Sequence, residues 1–218
     1  MEYKVKLTFT SEWLVASGLG DGYVADNELT RDSNGVLFLG GRALRGALRE
    51  SAWRLALCRD DLKKAENFFF GTASTAVENE KCGCLTVSDG LLSDGVHDYF
   101  TALNYAERSN LMQDLITYRV QTSLQGESKL VKKGSLRTLQ CGIAGIIFEF
   151  SLIVDAKVKT DFLNDYLLCL CSLTRSIGSN RSRGLGNCEL ELFDSKGCSI
   201  AKSGSQKLPS LFDDALGE

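Results

Sequence analysis

Apolar and polar residues alternate in the opening stretch YKVKLTF, where Tyr3, Val5, Leu7 and Phe9 share one face. A period of two predicts a half-buried strand. A polar, glycine-rich stretch from about Gly18 to Gly35 reads as loop and leads into the apolar run VLFL. In GGRALRGALRESAWRLALCRDDLKKA the period changes. Leu44, Leu48, Ala52 and Leu55 recur every three or four residues, which predicts an amphipathic helix near 43–57. IIFEFSLIV, residues 146–154, reads as a largely buried strand, and TDFLNDYLLCLCSLTRSIG places Leu163, Leu167, Leu170 and Leu173 at helical spacing with Thr160 as N-cap. CELELF, 188–193, alternates again.

The order is therefore strand, helix, intermediate strands, strand, helix, strand. It predicts an α+β protein with a ferredoxin-like (RRM-like) βαββαβ core, carrying a large insertion over about 67–145. Within the insertion, residues 115–145 are expected to project as a hairpin. The chain has one proline, Pro209, and no repeat, so no linker is marked and residues 1–218 are expected to form a single domain. An acidic tail, including PSLFDDALGE, occupies about 205–218.

With 44% hydrophobic and 24% charged residues the composition is that of a folded globular chain, not a disordered one. No apolar run approaches the ~18 residues of a membrane span. The first residues lack the apolar core of a secretory signal, so a cytoplasmic protein is expected. In that reducing compartment the eight cysteines are expected to stay free. The pair CGC at 82–84 could be half of a zinc site, but no Cys-x-x-Cys accompanies it, and no residue is assigned to a metal.

A net charge of −3 argues against binding polyanions by bulk charge, but the distribution is uneven. Seven basic residues face three acidic ones between Arg42 and Lys64, and five face one between Leu115 and Gly145. Such strips can attract nucleic acid, and they also read as solvated faces of ordinary elements. Arg42, Arg45 and Arg49 share one face of the first helix, and Gly40 and Gly41 leave its N-terminus open to a phosphate. The same face reads equally as a plain surface with Glu50 and Asp60 as counterions.

IGSNRSRGLG, Ile177 to Gly186, follows a helix and precedes a strand, the reverse of a P-loop. The dinucleotide fingerprint fails too: GLGDGY has Tyr23, and GLGNCE has Glu189, where the third glycine belongs. Its glycines and Arg181 and Arg183 suit a polyanion backbone better than a nucleotide.

GGRALRGALR resembles the Gly-x-x-Leu-Lys/Arg-Gly-x-x-Arg motif of the RAMP superfamily, the repeat-associated proteins of CRISPR systems. IGSNRSRGLG resembles the glycine-rich loop before the last core strand of those proteins. YRVQTSLQGESKLVKKGSLRTL followed by GIIFEFSLIV resembles their middle region, an Arg-led strand entering a protruding, thumb-like hairpin. FFFG and LTVSDGLL resemble the turn and strand end between them. Length and layout are most similar to the backbone subunits of type III CRISPR effector complexes, which polymerise along a CRISPR RNA and cut bound target RNA.

The resemblance implies a guide CRISPR RNA, a complementary target RNA, further copies of itself or related RAMP subunits, and other subunits of the complex as partners, with no membrane. It implies RNA binding by Gly41, Arg42, Arg45 and Arg49, by Arg119, Lys129, Lys132 and Lys133 of the hairpin, and by Gly178, Arg181, Arg183, Gly184 and Gly186. It also implies a catalytic aspartate in the loop before the first motif, assisted by a divalent cation, Mg²⁺. The role is carried onto Asp26, eighteen residues before Leu44, with Asp21 and Asp32 as alternatives. A carboxylate there can position the cation or the attacking 2′-hydroxyl. Two other readings are a non-catalytic architectural subunit and a CRISPR-RNA-processing endoribonuclease. The latter would need a histidine near the first helix, whereas the sole histidine, His97, is expected to be a surface or satisfied side chain.

Overall fold

A computed structural model describes residues 1–16, 18, 25–72, 82–93, 95–123, 130–200, 210, 212, 214 and 215. Strand β1 (Glu2–Phe9) buries Tyr3, Val5, Leu7 and Phe9, as the alternation requires. It pairs antiparallel with β6 (Ile147–Val154) on one side and with β7 (Cys188–Phe193) on the other. The outer side of β6 pairs antiparallel with two short strands, β2 (Leu85–Val87) and β3 (Leu91–Leu92). The sheet order is thus β2/β3–β6–β1–β7, with every pair antiparallel.

Helices α1 (Gly41–Ala56) and α5 (Thr160–Leu173) pack on its apolar face. Their ends are joined by Ser51 Oγ and Thr174 Oγ1, 2.7 Å apart. Thr160 is the first helical residue, and Lys159 holds the cap position in its place. The opposite face of the sheet is polar. Lys6 lies in register between Glu149 and Glu191, opposite-charge neighbours that favour this pairing.

The basic stretch after Gly40 folds as two helices. The apolar stripe of α1 runs through Leu44, Leu48, Ala52 and Leu55, and the helix ends at Ala56 with Leu57 in the cap position. α2 (Asp60–Phe70) starts afresh with Asp60 and Asp61 in its first turn, where the helix dipole favours acid. Arg59 holds Asp61 and also bonds the Ser210 carbonyl. Phe212 follows, buried against Phe68, Phe69 and Phe162, so this part of the acidic tail packs into the core.

The insertion supplies β2 and β3, two short helices, α3 (Val96–Ala102) and α4 (Tyr105–Asp114), and the strands β4 (Ile116–Gln121) and β5 (Arg137–Gly142). β4 and β5 pair only with each other as strands, as an antiparallel ribbon separate from the main sheet. Trp13 anchors the base of the ribbon. Its indole stacks on Phe9 and meets Phe148 edge-on, and a Cβ at Gly142 would lie 2.1 Å from it. Only glycine fits there. Among the described residues no helix is long and apolar enough to cross a membrane, and all eight cysteines are unbridged. Burial pushes the Cys141 thiol up to about 11 and those of Cys171 and Cys188 to about 12, so they are neutral at pH 7.

Candidate nucleic-acid interface

Arg42, Arg45 and Arg49 lie three and four residues apart on α1 and line a cleft of about 490 Å³ with Phe70, Gly71 and Gly83. Two of the three guanidiniums also hold the chain together. Arg45 Nη2 donates to the Phe70 carbonyl at 2.9 Å, its Nε to the Leu85 carbonyl at 3.3 Å, and its charge lies 5.5 Å from the Phe70 ring centroid. Arg49 Nη2 donates to the Gly71 carbonyl at 2.9 Å, with Glu66 at 3.5 Å. Both satisfy carbonyls that the end of α2 leaves without a helical partner. Arg42 alone among them makes no hydrogen bond or ion pair with a described residue. The N-terminus of α1 is not open. Asp89 accepts the Gly41 N–H at 2.6 Å, and a Cβ at Gly41 would lie 2.5 Å from the Val87 carbonyl oxygen.

The glycine-rich loop sits between α1 and the ribbon and is bonded to both. Gly178 (φ 99°) and Gly186 (φ 76°) are packed so closely that a Cβ would lie 2.3 Å from the Leu14 carbonyl oxygen and 2.0 Å from that of Ile177. Gly184 (φ 81°) faces open space. Between them a single 3₁₀ turn, Arg181–Arg183, sends two guanidiniums in different directions. Arg181 reaches Glu50 of α1 at 2.6 Å, and Arg183 donates to Oε1 of Gln121, the last residue of β4, at 2.8 Å. Glu50 also receives Arg54. The Arg181 hydrogen bond, aided by Arg54, holds the Glu50 carboxyl below its usual range against the effect of burial. Two residues before Gln121 on the same strand, Arg119 of β4 pairs with Glu12.

Asp26 lies on the far edge of the ribbon. Its segment runs extended beside β5, with the Asp26 N–H donating to the Thr138 carbonyl at 2.9 Å and the Thr138 N–H donating to Asp26 Oδ2 at 2.7 Å. Oδ1 has no hydrogen-bond partner among the described residues, and the side chain is exposed. Thr138 and Gln121 lie one register step apart on the ribbon, so the Arg183 and Asp26 contacts flank it at the same level. About two strand spacings, roughly 10 Å, separate Asp26's segment from β4.

Asp32 occupies a different setting. It accepts the Asn34 and Val36 amides at 2.8 and 2.9 Å, and His97 Nε2 lies 3.1 Å away. Burial raises its carboxyl, but the Val36 amide, His97 and the Asn34 amide together outweigh it and hold the group low. Asp32 and His97 thus satisfy each other. Asp21 and Lys129 lie outside the described residues. Lys132 and Lys133 sit exposed in the turn at the far end of the ribbon.

The glycine loop is thus linked to α1 through Arg181–Glu50 and to β4 through Arg183–Gln121, with Asp26 across the ribbon, while Arg42, Arg45 and Arg49 line the separate cleft beside α2. Asp89, Gln121 and Glu12, which fix the helix end and two of the arginines, escaped the sequence reading, and Glu50, expected as a counterion of the α1 face, pairs instead with Arg54 and Arg181. Only the resemblance of LTVSDGLL to a family strand end pointed near Asp89. Among the described residues no three metal-ligating side chains come together.

No curated protein matches the sequence. Among solved structures, a chain of the cryo-EM structure of the Type III-B Cmr-beta bound to cognate target RNA superposes with a TM-score of 0.67 at 12% identity, covering 88% of this chain and 97% of that one. A chain of the Type III-B Cmr-beta cryo-EM structure of the apo state gives 0.59 at 11%, covering 89% and 98%. The RAMP superfamily model matches residues 6–189, most of the sequence and every element from β1 into β7. The chain belongs to the RAMP superfamily.

Proposed function

We propose that this chain is a backbone subunit of a type III CRISPR ribonucleoprotein that binds the CRISPR RNA along its length and cleaves complementary target RNA. In this reading residues 1–218 are one domain with a ferredoxin-like core, the β4–β5 ribbon is its thumb, and the complex works in the cytoplasm with further RAMP subunits. The observation that carries it is the placement of Asp26 and the Arg183 contact of the glycine loop on opposite edges of one ribbon at one level. The guide backbone lies along Arg42, Arg45, Arg49 and the glycine loop. Lys132 and Lys133 of the ribbon tip part the paired strands, and the target passes Asp26. Phosphate contacts of this kind fix position and leave sequence to base pairing. The outward face of the main sheet carries Glu149, Glu189 and Glu191, which suits it poorly to the sheet-face stacking of an RRM.

Cleavage by the target's own 2′-hydroxyl needs an in-line arrangement and a group that manages charge. The Thr138 amide fixes one oxygen of Asp26 and leaves the other directed at solvent, where it can accept the hydroxyl proton or orient that hydroxyl. A single carboxylate fits a Mg²⁺ that takes its other ligands from water and RNA phosphates, and such an ion would supply charge stabilisation. That no three metal-ligating side chains come together at Asp26 among the described residues also favours the architectural reading, in which the subunit binds without cutting.

The test is cleavage of complementary RNA by the guide-loaded complex. Asp26→Ala is expected to slow it by on the order of 10²–10⁴ and leave guide and target binding intact. Asp32→Ala should lower stability instead. Normal cutting by Asp26→Ala overturns the catalytic assignment, and absence of cutting by the wild type establishes the architectural reading.

A further inference from the structure

A second cleft, of about 300 Å³, opens on the Asp26 side of the ribbon. Its lining includes Glu28, Arg31, Asn34, Tyr105, Arg108 and Gln140. None of these residues belongs to the surfaces that hold the guide in the proposed reading. Asp26 and Glu28 are alternate residues of the same extended segment, so the cleft begins about 7 Å from the candidate catalytic residue.

The cleft is built. Gln140, 6% exposed, forms its floor, and its Oε1 accepts the Leu29 N–H at 3.1 Å. Arg31 and Asn34 come from the turn tied by Asp32, and Tyr105 and Arg108 from α4. The Asp32–His97 contact joins that turn to α3, which leads directly into α4, so it braces the two walls against each other. Asn104 caps α4 by accepting the Glu107 N–H and so fixes the start of the helix at Tyr105.

Its charge is not balanced by the described residues. Arg31 and Arg108 each make one long contact to a carbonyl, 3.4 Å to Gly35 and 3.4 Å to Thr101. Neither has an ion-pair partner among the described residues, and Glu28, the one acid of the lining, has none either. Two guanidiniums sharing a small cleft repel unless an anion lies between them. Tyr105, 79% exposed at the rim, offers a ring face to a flat ligand. Guanidinium pairs suit phosphate, and an exposed aromatic beside them suits an unpaired base.

We propose that this cleft is a subsite for one unpaired nucleotide of the target RNA beside the cut, with its phosphate between Arg31 and Arg108 and its base on Tyr105. The inference rests on the function proposed above. By holding the neighbouring nucleotide, the subsite would fix the backbone so that the phosphodiester at Asp26 stays in line.

The experiment uses the guide-loaded complex and a complementary RNA, measuring guide binding, target affinity over a salt series, and cleavage rate. Arg31→Ala with Arg108→Ala is expected to weaken target binding about tenfold, to flatten the log–log salt slope by one to two, and to slow cleavage, with guide binding unchanged. The double lysine variant should recover the salt slope. Tyr105→Ala should weaken target binding roughly tenfold without altering the slope. Wild-type affinity, slope and rate in the double alanine variant would overturn the subsite and leave the proposed function standing. A parallel loss of guide binding would also overturn it, showing a structural role. Failure of the wild-type complex to bind complementary RNA at all would instead remove the reading on which the subsite rests.

Discussion

Glu50 receives two guanidiniums, Arg54 from its own helix and Arg181 from the glycine loop, and so fastens that loop to α1. Its carboxyl titrates below the usual range because Arg181, helped by Arg54, favours the charged form. The stabilisation is fully present above the unfolded pKa, about 4.3, and is lost as pH falls through the lower folded value. Glu50→Gln should therefore melt below the wild type at pH 7, and the gap should shrink toward zero near pH 3. Thermal unfolding at the two pH values checks this, and a gap independent of pH contradicts it. Glu50 was legible as a counterion of its own helix but not as the partner of Arg181, and Asp89 not at all, because these contacts act across 131 and 48 residues of chain. Asp26 was chosen over Asp32 through the spacing of a family motif, and only the structure shows Asp32 tied to His97 and two amides.

The elements with strict periods were read correctly because burial on one face imposes the period: β1, α1, α5, β6 and β7 all follow their apolar residues. The end of α1 near residue 57 was read, but α2 was not singled out as a second helix, because its stripe continues the same helical periodicity. α3 and α4 were missed because they bury little; Phe100 and Met112 are their only buried side chains. Once α2 is recognised, the face of α1 acquires two kinds of arginine. Arg45 satisfies the end of α2 and the edge of β2, so Arg45→Ala should cost about 1–3 kcal/mol of stability as well as guide affinity. Arg42 makes no hydrogen bond or ion pair with a described residue, so Arg42→Ala should leave stability within about 0.5 kcal/mol and still weaken guide binding, with a smaller salt slope. Denaturant unfolding and guide titration on the two variants separate these roles. Equal stability in both would show that the α2 carbonyls do not depend on Arg45.

Across the whole molecule the ribbon divides two surfaces. On one side lie the α1 cleft, the glycine loop and β4, joined by Arg181–Glu50, Arg183–Gln121 and Arg119–Glu12. On the other lie Asp26 and the cleft of Arg31, Arg108 and Tyr105. The most direct test of this division is photo-crosslinking in the assembled complex, with 4-thiouridine placed first in the guide and then in the bound target. The account predicts guide crosslinks to peptides of α1 and residues 177–187, and target crosslinks to residues 25–32 and 105–109. Target crosslinks on α1 and the glycine loop, or guide crosslinks around Asp26, would contradict it.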